Sequence, residues 1–286
     1  MNGDKRGCLY IVGTPIGNLG DITLRALETL RGVDFIACED TRRTRKLLAH
    51  FGVEKDLVSL HAHSGAARVE IVIGRVESGE SAAYVTDAGM PTLNDPGHEL
   101  VSAAFERGLP LVVIPGPSAL TTALAYTPFD ATRFSYEGFL PRKGREREAR
   151  LSAIARSLQP SVVFEAPTRI VKFLEDLERH CGGGRRVLLA REMTKLYESV
   201  ACIRLGDWRA AGIVERGEYT VIVEGARNET ESVVCESDMR RMRESVAALK
   251  QSGVSSRDIL KVLRAFLPDI ASELRGMVLE DDGDEG

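Results

Sequence analysis

Cysteine is sparse and unpatterned in this chain of 286 residues: Cys8, Cys38, Cys181, Cys202 and Cys235 make an odd five, with no Cys-x-x-Cys pair. That argues against a disulfide framework and against a thiolate zinc site, and it predicts a protein of the reducing cytoplasm. Long apolar runs are missing too. No stretch nears the ~20 apolar residues of a membrane span, and the start from Met1 to Tyr10 has no secretory core, so neither membrane contact nor export is expected. Neither Gly-x-Gly-x-x-Gly nor a Gly-Lys-Ser/Thr loop occurs, which leaves dinucleotides and nucleoside triphosphates without positive support. His61 and His63 lie two apart with no evident third ligand, so no metal is expected.

Charge of one sign is also scarce. The formal net charge is only −4, at face value a poor match for a nucleic-acid partner. Its distribution alters that reading. The last seven residues, 280–286, hold five acids and no base. Without those five, 42 acids fall to 37 against 38 bases, a net +1, so a short solvated tail carries the acidity. Basic residues cluster instead at Arg42-Arg-Thr-Arg-Lys46 and over 133–156, where seven bases face three acids.

What is present is a regular alternation. β-branched runs at 9–12, 33–38, 57–61, 82–85 and 111–114 are separated by helical patterns. The first of these helices is predicted to be capped by Asp21 and ended by Gly32. Strands spaced by 10–15-residue helices imply βαβ units and a mainly parallel sheet with helices on both faces. A second αβ segment follows, with strands expected at 134–139, 162–164, 187–190, 200–205 and 219–223 and helices near 148–158 and 169–179. Helices at 239–250, 257–266 and 270–277 close the chain. The expected division is an N-terminal αβ domain over 7–117, a second, mixed-sheet αβ domain over 118–227, a helical segment over 236–279 and the acidic tail over 280–286.

The tips of the first five strands are rich in Gly, Pro and Asp: Gly13-Thr-Pro-Ile-Gly-Asn-Leu-Gly20, Glu39-Asp-Thr-Arg42, His61-Ala-His63, Thr86-Asp-Ala-Gly-Met-Pro91 with Asn94-Asp-Pro-Gly97, and Pro115-Gly-Pro-Ser118. Ligands of open parallel sheets bind outside the carboxyl ends of the strands, so a small-molecule site is expected on that edge. Pro15 removes an N–H that a phosphate cradle would use, whereas Asp87 and Asp95 can accept from an amine or hydroxyls. A cationic ribonucleoside fits; S-adenosylmethionine is one candidate among several.

All of these tips except the third, whose His61-Ala-His-Ser64 stands where an acidic residue and Asn are common, together with Tyr136-Glu-Gly-Phe-Leu-Pro-Arg-Lys143, Phe164-Glu-Ala-Pro-Thr-Arg169, Ala190-Arg-Glu-Met-Thr-Lys195 and Gly217-Glu-Tyr-Thr-Val221, resemble the ribosomal RNA small subunit methyltransferase I family. They run in order from residue 9 to about 225. The resemblance implies a tetrapyrrole-methylase fold with S-adenosylmethionine between two αβ domains, a homodimer, and 2′-O-methylation of a cytidine in the decoding region of small-subunit ribosomal RNA. It also implies donor contacts at Pro15, Asp87, Gly89, Asn94, Asp95, Ser118, Ala119, Ala166 and Thr220. Glu39, Glu192 and Lys195 are the expected catalytic residues, with Glu39 or Glu192 as proton acceptor. Asp40, Arg42, Arg43, Arg142, Lys143, Glu165 and Arg191 are expected to face the RNA of the small subunit or an assembly intermediate. Met90 stands where the family usually has Thr or Ser, and Thr168 where it usually has His. Two other readings compete: a tetrapyrrole (precorrin) methyltransferase on the same fold, and a ribosome-assembly factor that has lost transfer. The alternative reading of Glu39–Arg42 and Arg191–Glu192 is salt-bridged turns.

Overall fold

The computed structural model describes residues 7–61, 65–226, 236–266 and 278. These fall into two compact units, divided between Gly225 and Ala226. Among the described residues no helix is long and apolar enough to cross a membrane, and no group of His, Cys, Asp and Glu could hold a metal ion.

The larger unit is built on two five-stranded sheets. The first contains β1 (Leu9–Val12), β2 (Phe35–Cys38), β3 (Asp56–Ser59), β4 (Ala82–Val85) and β5 (Leu111–Ile114), all parallel, in the order β3-β2-β4-β1-β5. Period-two alternation sorts their side chains into two cores. Leu9, Ile11, Phe35, Ala37 and Tyr84 pack under α3 (Gly65–Glu77) and α4 (His98–Glu106); Val12, Ile36, Cys38, Ala83 and Val85 pack under α1 (Leu24–Gly32) and α2 (Thr41–His50). β2 and β4 are apolar and buried throughout, as a strand covered on both faces requires. The connections leaving β1 and β4 run to opposite edges of the sheet, which opens a crevice beyond their carboxyl ends. Asp21 does not cap the first helix. It lies in a 3-10 turn, Leu19–Asp21, and the Thr23 hydroxyl caps α1 by accepting from the Ala26 N–H at 3.0 Å.

The second sheet contains β6 (Ser135–Phe139), β7 (Ser161–Glu165), β8 (Arg186–Arg191), β9 (Ser199–Arg204) and β10 (Tyr219–Val223), ordered β6-β7-β10-β8-β9. Only β6 and β7 are parallel, so the sheet is mixed. One face is covered by α6 (Arg145–Arg156) and α7 (Ile170–Cys181), which bury Leu151, Ile154, Phe173, Leu174 and Leu177 against Val163 and Val221. Fully burying each such side chain contributes roughly 1.5–3 kcal/mol. Across α6 and α7, the Arg147 guanidinium donates to Asp176 at 2.9 Å, both side chains being almost wholly buried. The other face receives α5 (Ala119–Tyr126), a helix that the sequence pattern did not reveal. Ala123 packs there on Val162, Leu188 and Ile222, and Ile16 from the β1 loop joins the same cluster.

The smaller unit contains α8 (Glu236–Gln251) and α9 (Ser256–Phe266), with Val246, Ile259 and Val278 buried together. The helix expected at 270–277 and the acidic tail lie outside the described residues.

Candidate functional site

The loops leaving β1 and β4 are locked to each other. Thr14 and Gly89 exchange backbone hydrogen bonds at 2.9 and 3.0 Å, and a Cβ on Gly13 would stand 2.8 Å from Gly116 Cα. Gly13 and Gly116 are therefore glycines because three loop backbones meet there. The 88–97 segment holds Gly89 at φ +80, and Thr92 and Asn94 at φ +73 and +61, a left-handed backbone that costs non-glycine residues of order 1–3 kcal/mol and clusters at ligand sites.

Above these loops lies a cavity of about 340 Å³ shared by both lobes of the larger unit. Its first-lobe wall includes Gly89, Met90, Leu93, Asn94 and Asp95; Ser118 and Ala119 follow from the start of α5. Phe139, Phe164, Glu165, Ala166, Glu218 and Thr220 supply the second-lobe wall. Of the nine expected donor contacts, seven line this cavity. Pro15 and Asp87 line a neighbouring one of about 210 Å³, beside Thr14, Arg43 and Lys46. There Arg43 pairs with Asp87 at 3.2 Å, and the Asp87 N–H donates to Glu39 at 3.3 Å.

Electrostatics single out Asp95. Burial, with Glu39 and Asp87 adding like charge, pushes its carboxyl up from the ordinary 3.8 to about 6. Burial and then the Asp95 charge push the Tyr136 phenol up to about 12, and its hydroxyl is buried with no hydrogen-bond partner among the described residues. A carboxylate that resists ionising, among apolar walls and hydroxyls, is well suited to a cation brought beside it.

The residues expected to touch RNA are in varied situations. Asp40 caps α2 through the Arg42 N–H and grips the Arg42 guanidinium at 2.8 Å, which holds its carboxyl well below the usual range. Arg142 and Lys143 are exposed beyond the end of β6. Glu165 is buried and paired with Arg169 at 3.0 Å; burial raises its affinity for a proton. Arg191 donates to the carbonyls of Arg216 and Tyr197. Within the 133–156 basic stretch, Arg147 and Arg150 serve internal pairs with Asp176 and Glu137.

Glu192, at φ +51, accepts from Lys195 at 2.9 Å and from the Glu218 N–H at 2.8 Å. Burial opposes its ionisation, but those two donors outweigh it and its pKa is lowered. Lys195 also reaches Glu218 at 2.8 Å; burial works against its charge, and the two carboxylates outweigh that. A Cβ on Gly17 would collide with the Lys195 side chain, so the 192–195 loop rests directly on the β1 turn.

Residues 8–208 match the tetrapyrrole (corrin/porphyrin) methylases, and chains about 40% identical over most of their length are ribosomal RNA small subunit methyltransferases I. The chain belongs to that family. One such methyltransferase, from Escherichia coli, is 39% identical over 96% of this chain and 97% of its own; another, from Xylella fastidiosa, is 43% identical over 80% and 86%. Among solved structures, a cobalt precorrin-4 methyltransferase shares the fold at 18% identity and a TM-score of 0.58, covering 76% of this chain and 94% of its own. The uroporphyrin-III C-methyltransferase of Thermus thermophilus, complexed with S-adenosyl homocysteine, shares it at 19% identity and a TM-score of 0.55, over 76% and 97%. In this methylase the sequence pattern missed Ile16, Leu93, Phe139, Phe164 and Glu218 as walls of the cavity. The first four are ordinary core-type residues in sequence, and only the meeting of two lobes exposes them to a ligand.

Proposed function

We propose that this methyltransferase transfers the methyl of S-adenosylmethionine to a cytidine ribose 2′-hydroxyl in the decoding region of small-subunit ribosomal RNA, acting as a homodimer. The observation that carries the reading is the joint cavity at the strand tips in a chain whose relatives, matched over most of their length, are named for small-subunit ribosomal RNA. Its residues fit the donor. Asp95 faces the positive sulfonium; Ser118 and Thr220 offer hydroxyls to the ribose and amino-acid ends; Met90, Ala119 and Ala166 give apolar surface to the adenine. When bound, the donor supplies an electrophilic methyl and a good leaving group.

The chain's own part is alignment, worth roughly 7–11 kcal/mol in favourable systems, and removal of a hydroxyl proton, worth about 10²–10⁴-fold. Glu192 takes the Lys195 ammonium and the Glu218 N–H on one and the same oxygen, a charge-assisted pair that lowers its basicity and makes it the clamp of its loop. Glu39 keeps one carboxylate oxygen uncommitted among the described residues and is the proposed proton acceptor. Arg45 and Lys46, on the exposed side of α2, make no ion pair among the described residues and offer charge to phosphate. The test is methylation of small subunits from a strain lacking the enzyme, with the modified ribose mapped by mass spectrometry. Methylation of uroporphyrinogen or a precorrin instead would overturn the reading.

A further inference from the structure

The second lobe carries an aromatic ledge that lines the cavity and extends past it into solvent. In a regular strand, residues three apart face opposite sides. β6 departs from that rule: its register with β7 steps from Tyr136↔Val162 to Gly138↔Val163 and Phe139↔Phe164, leaving Glu137 as an extra residue. Gly138 takes up the bulge at φ +59. Tyr136 and Phe139 are thereby brought to one face, where both rings meet Phe164 edge-on, at 5.4 and 5.7 Å. Arg150 fastens the bulge, donating to the Glu137 carbonyl at 2.5 Å and to its carboxylate at 2.7 Å.

Phe139 stands at the edge of this ledge. It lines the cavity, yet half of its surface (50%) faces solvent. The chain then runs through Leu140-Pro-Arg-Lys-Gly-Arg145, whose three bases are exposed and make no ion pair among the described residues. A flat apolar ring beside uncommitted cations is the combination by which proteins take single-stranded nucleic acid, with stacking for the base and charge for the phosphate. The donor is small enough for the inner walls to enclose. A polymer reaches only the rim, where the exposed ring is.

We propose that Phe139 stacks on the base of the nucleotide to be methylated, while Arg142 and Lys143 hold its flanking phosphates. The inference rests on the reading of the chain as a ribosomal RNA methyltransferase and goes further, because it says how one ribose is presented. A base drawn from its stack onto Phe139 fixes the sugar beside the donor.

Phe139→Ala and Phe139→Trp test it in the full-length enzyme, with unmodified small subunits as substrate and S-adenosylhomocysteine as the calorimetric probe. Loss of one stacked base corresponds to about 5- to 150-fold. Phe139→Ala is expected to raise the KM for subunits by that factor, leave S-adenosylhomocysteine affinity within about two-fold, and be rescued by Phe139→Trp. Phe139→Leu, which keeps apolar bulk without a flat ring, is expected to behave like Phe139→Ala and stands in for it if the smaller residue unfolds the lobe. Arg142→Ala and Lys143→Ala should each lower the slope of log affinity on log salt by about 0.7, whereas Phe139→Ala leaves it unchanged. Lost S-adenosylhomocysteine affinity with an unchanged KM would assign the ring to the donor's adenine and overturn the proposal, as would a variant equal to wild type in both. A wild-type enzyme that methylates no small-subunit RNA would bring down the underlying reading and this inference together.

Discussion

Asp95→Asn separates what the cavity costs the fold from what it gives the ligand. The Asp95 carboxyl titrates at about 6 in the folded chain against an ordinary 3.8, chiefly because it is buried. Between those values the folded protein keeps a proton that the unfolded chain has released, so stability falls as pH rises through this window. Above it the full cost is present; below it there is none. A gap from 3.8 to about 6 corresponds to roughly 3 kcal/mol at 1.36 kcal/mol per pH unit, and solvent screening of a half-buried group reduces that to about 1–1.5 kcal/mol. Asn is isosteric with the protonated acid. Asp95→Asn should therefore melt about 2–6 °C above wild type at pH 7.5, with about half that advantage at pH 5, read by scanning fluorimetry across the range. The same substitution should weaken S-adenosylmethionine at least about 10-fold at pH 7.5, since a charged partner is lost. Wild-type affinity should itself decline as pH drops below about 6. A variant less stable than wild type at pH 7.5, with donor affinity intact, would refute the reasoning: Asp95 would then be a satisfied structural carboxylate.

Other substitutions probe other parts of the molecule. Arg147→Met leaves the Asp176 carboxylate buried beneath α6 without its main partner and should cost about 3 kcal/mol in urea unfolding. Glu192→Gln should keep single-turnover methylation within a few-fold while losing about 1 kcal/mol of stability; a loss beyond 100-fold would instead make Glu192 the proton acceptor. Arg45→Ala with Lys46→Ala should reduce the salt slope of RNA binding by about 1.4 and spare donor affinity, as measured by filter binding and calorimetry. Gly138→Ala sets a Cβ 2.5 Å from the Asn94 side-chain oxygen at a left-handed φ, and should cost about 1–3 kcal/mol, visible as a lower melting temperature.

The alternation of apolar strands and amphipathic helices made both sheets legible, and several of the Gly-, Pro- and Asp-rich tips line the cavity between the lobes. Short strands buried on two faces read as continuous apolar runs, and β2 and β4 are such runs. What escaped depends on contacts remote in sequence. α5 lacks a charged face, so its Ala- and Thr-rich stretch showed no helical stripe. Thr23 rather than Asp21 caps α1 because the chain makes a 3-10 turn first. Arg147 and Arg150 counted as available bases in a charge tally, yet one is buried in an ion pair and the other grips a bulge. Regular alternation along 134–139 would set Tyr136 and Phe139 on opposite faces, and the one extra residue in β6 brings them to the same one.

The apolar cluster that unites Ile16 with Ala123, Val162, Leu188 and Ile222 has a bearing on how this enzyme can fail. Through Ile16 the first lobe supplies part of the second lobe's cover. Unfolding the first lobe uncovers apolar surface on the second, so heat or denaturant is expected to meet one cooperative transition across the two lobes. The cavity is in that sense a seam within one body, inherited at the moment of folding.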